Sequence, residues 1–342
     1  MTGRERILAM LSGQQPDHLP CMPITMMFAA DVLGVKYGQY ARDYRVMADA
    51  QVKTAETFGF DHVSAIGPPA PETTDLGSKS QWFEDQPPSV VETESLLKDK
   101  SVLGRLKARG PVVGERVENR IRGIERMRER VGRELLIEGW ACGPCAAAAD
   151  MRGINRLMID FHDDPAFVRE LLDFALETAI HFATVQIEAG AGSIGIGDPQ
   201  ASLVGPRIYK EFVWPCQKKL VDAIHARGAK VRLHICGNTR KILGAMGELG
   251  CDLVDIDFLA PFEEARAAMG EQQTLSGNLD PVRELRDGTP QSIAQALEEL
   301  RQKAGARWIV AAGCEVVRDT PHENVRAMVE FARTHAAEDA TA

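Results

Sequence analysis

The sequence predicts an α/β protein, and specifically a (β/α)8 TIM barrel with an N-terminal helix over residues 1–17 and an insertion over residues 67–134. Short apolar runs of β type recur eight times along the chain, and helix-like segments separate most of them. Strands that alternate with helices pair in parallel through right-handed crossovers. An open doubly wound sheet is the alternative, but neither a G-x-G-x-x-G nor a G-x-x-x-x-G-K-[ST] phosphate motif is present to favour it.

The predicted strands are residues 18–24, 62–66, 135–140, 193–198, 230–236, 253–258, 274–280 and 308–314. Two long helices are predicted over residues 164–190 and 206–228, and each ends on glycine, the usual stop signal. Region 67–134 is too long for one crossover, so we expect it to lie near the barrel mouth as an insertion. We expect residues 1–342 to form a single domain.

Composition and charge exclude several classes of function. The formal net charge is −9, whereas contacts to nucleic-acid phosphates need clustered lysine and arginine. No apolar run is long enough to cross a bilayer, and the first residues do not read as a targeting signal. The seven cysteines are scattered and odd in number, which favours free or metal-bound thiols over a disulfide framework. We therefore expect a cytoplasmic protein that binds neither nucleic acid nor membrane.

Polar side chains gather at the ends of the later predicted strands, where a barrel carries its active site. Because these strand ends meet at one mouth, residues that are far apart in sequence are expected to converge there. The residues concerned are Asp198, His234, Cys236, Asp257, Asn278, Asp280, Cys314 and Glu315.

His234, Cys236 and Cys314 predict a zinc site. Two thiolates and an imidazole suit Zn²⁺, and three protein ligands leave one position for a substrate, as in catalytic sites. His-x-Cys at a strand end can aim both side chains at one point, because alternate residues of a strand share a face. A buried cysteine beside a hydrogen-bonded core histidine is the alternative reading of that pair alone. Asp257, at another strand end, is a further candidate ligand.

The segments "LHICGNT" (233–239), "SGNLDP" (276–281) and "AAGCEVVRDTP" (311–321) resemble the uroporphyrinogen decarboxylase superfamily. Specifically, they resemble its zinc-dependent methylcobamide:coenzyme M methyltransferase branch, and the resemblance covers nearly the whole chain. It implies that His234, Cys236 and Cys314 are the zinc ligands. It places the branch's acidic residue, more often glutamate, at Asp257.

The resemblance to the decarboxylase itself is incomplete. That enzyme binds a tetrapyrrole with many carboxylates through an arginine-rich segment after its first strand and a nearby aspartate. Here the corresponding residues 18–34 contain no arginine, and their only acid is Asp31. Neutral side chains cannot balance many buried carboxylates, so we do not expect decarboxylation of uroporphyrinogen.

The resemblance and the ligand chemistry together predict methyl transfer between a methyl-Co(III) corrinoid and a zinc-bound thiol or methylated small molecule. A separate corrinoid protein is the expected partner, because "DFHDDP" (160–165) lacks the glycine of the usual corrinoid-binding motif. A homodimer is an open alternative to a monomer. Asp257 or Glu315 is expected to orient His234 or tune the metal.

Two other functions remain open at this stage. One is a metal-independent lyase resembling uroporphyrinogen decarboxylase, and the other is a non-catalytic protein that binds a metal or corrinoid without turnover. Substrate or corrinoid contact is a hypothesis for five residues, although asparagine and aspartate often hold loop backbone instead. These five are Asp198, Tyr209, Asn238, Asn278 and Asp280.

Overall fold

The computed structural model describes residues 1–68 and 70–336. Within them, a curled parallel sheet has the strand order β1-β4-β5-β6-β7-β8-β9, and helices cover its outer face. The short strands β2 and β3 pair separately as an antiparallel hairpin. The strands are β1 His62–Ser64, β2 Ser80–Gln81, β3 Ser89–Val90, β4 Leu136–Cys142, β5 Ser193–Gly197, β6 Lys230–His234, β7 Leu253–Asp255, β8 Thr274–Ser276 and β9 Trp308–Ile309.

The first predicted strand, residues 18–24, is reduced to a single bridge. Cys21 pairs in parallel with Val310 just after β9, and its carbonyl accepts the Asp61 N–H just before β1. Pro20 and Pro23 flank this bridge, and proline has no N–H to donate to a ladder. The extended segment nevertheless stands between the first and last strands of the sheet, which gives the predicted barrel-like closure.

The helices that follow the strands have clear start and stop signals. In the longest, the side chain of Asp164 accepts the Phe167 N–H at the start, and Gly190 ends the helix with φ of 120°. The α-helices are α1 Gly3–Leu11, α2 Met27–Leu33, α3 Tyr37–Arg42, α4 Tyr44–Phe58, α5 Pro71–Leu76, α6 Val102–Arg109, α7 Glu115–Val131, α8 Pro144–Arg152, α9 Ile154–Asp163, α10 Pro165–Ala189, α11 Gly205–Ile208, α12 Trp214–His225, α13 Leu243–Gly247, α14 Phe262–Met269, α15 Pro290–Ala304 and α16 His322–Thr334.

The helix predicted over residues 206–228 is interrupted. A π-helical turn, Tyr209–Val213, separates α11 from α12. Pro215 has no N–H for the carbonyl of Glu211 one turn earlier, and Arg169 donates to that carbonyl from 3.5 Å instead. The interruption therefore follows from Pro215, which a helix prediction based on the closing glycine did not take into account.

Region 67–134 contains α5, the β2–β3 hairpin, α6 and α7. Helix α7 packs on α4 and α10 in the helical layer, whereas α5 and the hairpin lie over the carboxyl ends of the strands. None of the helices within the described residues is long and apolar enough to span a membrane.

Candidate metal centre and its cavity

Three side chains converge where β6 and β9 end. Nε2 of His234 lies 3.0 Å from Sγ of Cys236 and 3.7 Å from Sγ of Cys314, and the two sulfurs are 3.8 Å apart. Within residues 1–68 and 70–336, this is the single group of three or more His, Cys, Asp or Glu residues whose ligand atoms all lie within 4.8 Å of one another. The structure thus brings together the three residues predicted as ligands.

These distances can be compared with a tetrahedral zinc site. Zinc–sulfur bonds of about 2.3 Å and a zinc–nitrogen bond of about 2.0 Å place the two sulfurs ~3.8 Å apart and the nitrogen ~3.5 Å from each sulfur. The sulfur–sulfur distance and the distance from His234 to Cys314 agree with this geometry. The contact from His234 to Cys236 is shorter and is that of a hydrogen bond. The donor set and two of its three distances therefore fit zinc.

Asp255 fixes the orientation of the His234 ring. Its Oδ2 lies 3.0 Å from Nδ1 of His234, so Nδ1 carries the proton and Nε2 faces the two sulfurs. Both residues are buried. A carboxylate behind a histidine ligand is a common support in metal sites, because it fixes the tautomer and increases the basicity of the ring.

Asp255 belongs to a larger buried ion network. The guanidinium of Arg232 donates to both oxygens of Asp255, at 3.1 and 2.8 Å, and to Glu138 at 3.3 Å. Glu138 also accepts the indole N–H of Trp140 at 3.0 Å. Sequence reasoning missed all four residues. The alternation in "VRLH" (231–234) was the available signal, because it places Arg232 and His234 on the same face of β6.

The protonation of the cluster follows from these contacts. Burial lowers the pKa of His234, but hydrogen bonds to Asp255 and Cys314 outweigh burial and raise it to about 10. The hydrogen bond from Cys236 holds the pKa of Cys314 well below that of an ordinary thiol, despite burial. The hydrogen bond from Cys236 to Cys314, together with burial, raises the pKa of Cys236. The cluster therefore holds one thiolate beside an imidazolium, and a metal cation would displace the remaining protons.

The cluster lies in the wall of a cavity of about 380 Å³. That volume suits a small ligand, and most of the wall is apolar. The first part of region 67–134 supplies much of the opposing lining. The polar or aromatic side chains of the wall are Glu72, Arg120, Trp140, Asp150, Gln200, His234 and Glu315.

Asp257 and Glu315 lie beside the cluster and hold backbone. The two oxygens of Asp257 accept the N–H groups of Gly237 and Leu259, both at 2.9 Å. Glu315 accepts the N–H groups of Met26 and Met27 at 3.2 and 2.9 Å, and burial raises its pKa to about 7. Asp257 thus shapes the loop that carries Cys236.

The five residues predicted to contact substrate lie elsewhere. Asp198 accepts the Ala146 N–H at the start of α8 at 2.7 Å and the side chain of Gln217 at 2.8 Å, and Tyr209 donates to the same glutamine. Asn278 donates to the Ala260 carbonyl, Asp280 accepts the Val282 and Arg283 N–H groups, and Asn238 is exposed. None of the five is in the lining of the cavity.

The fold and the cluster define a barrel enzyme with a histidine–cysteine–cysteine centre, and comparison with known proteins gives its family. The family profile described as uroporphyrinogen decarboxylase (URO-D) matches residues 2–335, and the chain belongs to this family. The family predicted from the motifs is therefore confirmed.

Several relatives that match nearly the whole length of the chain are methyltransferases. The chain is 29% identical over 345 residues to the methylcobamide:CoM methyltransferase MtbA of Methanosarcina mazei, with 98% of each chain covered. It is 26% identical over 337 residues to the methylated-thiol–coenzyme M methyltransferase of that organism, covering 96% of this chain and 88% of the relative. The uroporphyrinogen decarboxylase of Prochlorococcus marinus is 27% identical over 221 residues, which is 62% of each chain.

A solved structure titled "methyltransferase from Methanosarcina mazei" superimposes with a TM-score of 0.82, at 24% identity, and covers 97% of this chain and 98% of that one. A B12-independent methionine synthase from Shewanella shares the fold, with a TM-score of 0.56 at 11% identity. The predictions of a TIM-barrel-like α/β fold and of a methyltransferase enzyme are confirmed.

Proposed function

We propose that this protein is a zinc-dependent methyltransferase that moves a methyl group between a corrinoid, carried on a separate protein, and a small thiol or methylated molecule. The convergence of His234, Cys236 and Cys314 in the wall of one small cavity is the observation that supports this function most directly. In the thiol-methylating direction, a sulfur–carbon bond forms, the cobalt–carbon bond breaks, and cobalt keeps the electron pair.

Each residue of the centre has a distinct role in this proposal. His234, Cys236 and Cys314 would hold Zn²⁺, and bound zinc would keep the substrate sulfur as a thiolate at neutral pH. Asp255 holds the proton on Nδ1 of His234, so that Nε2 is free to act as the ligand. Asp257 and Glu315 hold the loops that carry the two cysteines. The apolar wall limits access of water to the sulfur.

A separate corrinoid carrier is part of the proposal. His162, the candidate cobalt ligand of "DFHDDP", is exposed on α9, and the neighbouring Asp160 is engaged by Arg152 at 2.6 Å and Lys100 at 2.7 Å. These contacts make the segment part of a structural ion cluster. The methylcobamide named for the relatives supports a corrinoid as the methyl carrier.

All seven cysteines are free, in keeping with the cytoplasmic location that we propose.

A decarboxylase-like lyase is less well supported. Asp31, the acid that stands nearest to the decarboxylase position, forms an ion pair with Arg318 at 2.6 Å. It is not in the lining of the cavity, which presents only one arginine, Arg120. A substrate with many carboxylates would therefore meet too little positive charge.

The proposal is tested with the purified chain under anaerobic, reducing conditions. One sample is stripped with a chelator, and a second is then reconstituted with Zn²⁺. We expect methylcobalamin to be demethylated, with formation of Co(I) seen by absorbance, only when both zinc and a thiol are present. Demethylation that is unaffected by removal of the metal would contradict the role of zinc. No bound zinc and no demethylation of methylcobalamin would favour the lyase. Stoichiometric zinc without methyl transfer to any thiol would favour the non-catalytic binding protein.

Replacing Asp255 by asparagine is expected to weaken zinc binding by roughly 10- to 100-fold, because a carboxylate no longer supports His234. Competition with a chromogenic chelator measures the change. Asp252→Asn is the matched control, since Asp252 stands just before the same strand and accepts the Val231 N–H at 2.9 Å, away from the cluster. Equal zinc affinity in the two variants would contradict the role given to Asp255.

A further inference from the structure

Glu72 is a buried acid in the wall of the cavity, and the proposed metal centre gives it no role. It lies in the first turn of α5 and is 2% exposed. One oxygen of its carboxyl accepts the Cys142 N–H at the end of β4, whereas the other, Oε2, is buried without a hydrogen-bond partner. A buried acid oxygen without a partner is unfavourable, so a group that enters the cavity and supplies a proton to this oxygen would be stabilised there.

The position of Glu72 relative to the metal centre follows from the register of the sheet. Cys142 pairs with Gly197 of β5, and Gly197 pairs with His234 of β6. Two strand spacings of about 4.8 Å place the backbones of Cys142 and His234 ~10 Å apart. Gly197 stands between them and has no side chain, and Glu72, Gly197 and His234 all line the same cavity. The cavity therefore joins the free oxygen of Glu72 to the centre over a span that a small thiol and one water can fill.

Glu72 is suited to exchanging a proton near neutral pH. Burial raises its pKa to about 7, although the Cys142 N–H opposes this effect. The charged side chains that act on this pKa from the neighbouring helices are Asp150 of α8, which raises it, and Arg120 of α7, which lowers it. Asp150 accepts the Thr73 hydroxyl at 3.3 Å, and neither Asp150 nor Arg120 forms a hydrogen bond with Oε2 of Glu72. A proton acceptor is most effective when its pKa lies close to the working pH.

A thiol must lose its proton before its sulfur binds a metal as a thiolate, and aliphatic thiols are mostly protonated at neutral pH. We propose that Glu72 is the proton acceptor of this site: its carboxylate takes the proton of the substrate thiol, directly or through one water, as the sulfur enters the His234–Cys236–Cys314 centre. The S–H bond breaks, the sulfur keeps the electron pair, and an O–H bond forms on Oε2. In the opposite direction, the protonated carboxyl returns a proton to the departing thiolate. This inference rests on the proposed function and adds the residue that handles the proton.

The test follows thiol binding itself, without methyl transfer. The chain is reconstituted with Co²⁺, which accepts the same ligands as Zn²⁺ and whose absorbance changes when a further sulfur binds. Stopped-flow absorbance gives the rate of 2-mercaptoethanol binding as a function of pH. In the wild type, we expect this rate to rise as the pH increases through about 7, where Glu72 loses its proton, and then to level off.

Glu72→Gln keeps the size of the side chain and an oxygen for the Cys142 N–H, but it cannot take a proton. Only thiol that is already ionised in solution can then bind, which is at most about 3% at pH 7 for a pKa of about 8.5 or higher. We expect binding at pH 7 to be at least roughly tenfold slower than in the wild type. The rate should rise about tenfold per pH unit up to the pKa of the thiol, and the Co²⁺ content should stay unchanged.

Asp198→Asn is the matched control. Asp198 is also a fully buried acid, and burial raises its pKa to about 6, but it is outside the cavity lining. This variant should keep the wild-type pH profile. If Glu72→Gln does not fold, 2-mercaptoethanol and 2,2,2-trifluoroethanethiol are compared on the wild type, because fluorine makes the second thiol more acidic. An inflection near pH 7 that is common to both thiols supports the inference, whereas an inflection that follows the pKa of the thiol overturns it.

A wild-type profile in Glu72→Gln would also overturn the inference, because the titration near pH 7 would then belong to another group. The same conclusion follows if the inflection is lost in Glu315→Gln but not in Glu72→Gln, since Glu315 is an acid of the lining whose pKa burial also raises to about 7. The proposed zinc-dependent function would stand in each of these cases. That function fails by a different result, namely that thiols do not bind at the reconstituted metal at any pH.

Discussion

Cys314→Ser is expected to lose its zinc and, with it, methyl transfer. The serine hydroxyl stays protonated and is a harder, weaker ligand than the thiolate of Cys314, whose pKa is lowered by hydrogen bonds from Cys236 and His234. Loss of a residue that merely supports a ligand costs up to about 100-fold in metal affinity, so loss of the ligand itself should cost more. Metal content by mass spectrometry, beside the wild type prepared identically, measures this effect.

Cys216→Ser is the control for Cys314→Ser. Cys216 is a buried, free cysteine of α12 that is outside the cavity lining. This variant should retain near-stoichiometric zinc and the wild-type rate of methyl transfer. Full zinc occupancy in Cys314→Ser would contradict the role of Cys314 as a metal ligand.

The sequence was sufficient to predict the three residues of the centre because topology decides where strands end. His234, Cys236 and Cys314 are separated by up to 80 positions, yet parallel strands of one barrel bring their carboxyl ends to the same mouth. Their polar character at the end of apolar runs was visible without coordinates. The same argument does not place Asp198 in the cavity lining, because its side chain accepts the Ala146 N–H at the start of α8. Position at a strand end does not determine the direction of the side chain.

The ion pairs that support the centre could not be predicted from the sequence. Arg232, Asp255 and Glu138 lie within three different strands, and their pairing depends on the register of β4, β6 and β7. Single charged residues within apolar runs did not indicate which acid forms an ion pair with which base. Arg120 and Glu72 come from region 67–134, where the sequence predicted a covering segment but no particular side chains in the cavity.

Arg232→Met is expected to destabilise the protein by about 3–5 kcal/mol at pH 7, the cost of removing one partner from a buried ion network. Methionine has similar length but leaves Asp255 and Glu138 without their shared cation. Urea unfolding of the metal-free protein measures the change, so that any effect on zinc does not enter. Arg240→Met is the control: Arg240 pairs with Glu264 at the surface, where such a bridge contributes less than about 1 kcal/mol.

The pH dependence of Arg232→Met separates lost charge pairing from lost packing. Burial raises the pKa of Asp255, but Arg232 and His234 outweigh burial and hold this pKa below its ordinary value. In the wild type, Asp255 therefore contributes stability that is present above pH 3.8 and lost below it. Without Arg232, both carboxyls should have a pKa above their unfolded values. The folded variant would then bind protons more tightly than the unfolded chain. The difference in the free energy of unfolding between the wild type and the variant should therefore decrease as the pH falls from 7 to 5. A loss of stability that is independent of pH would indicate that Arg232→Met acts through lost packing instead.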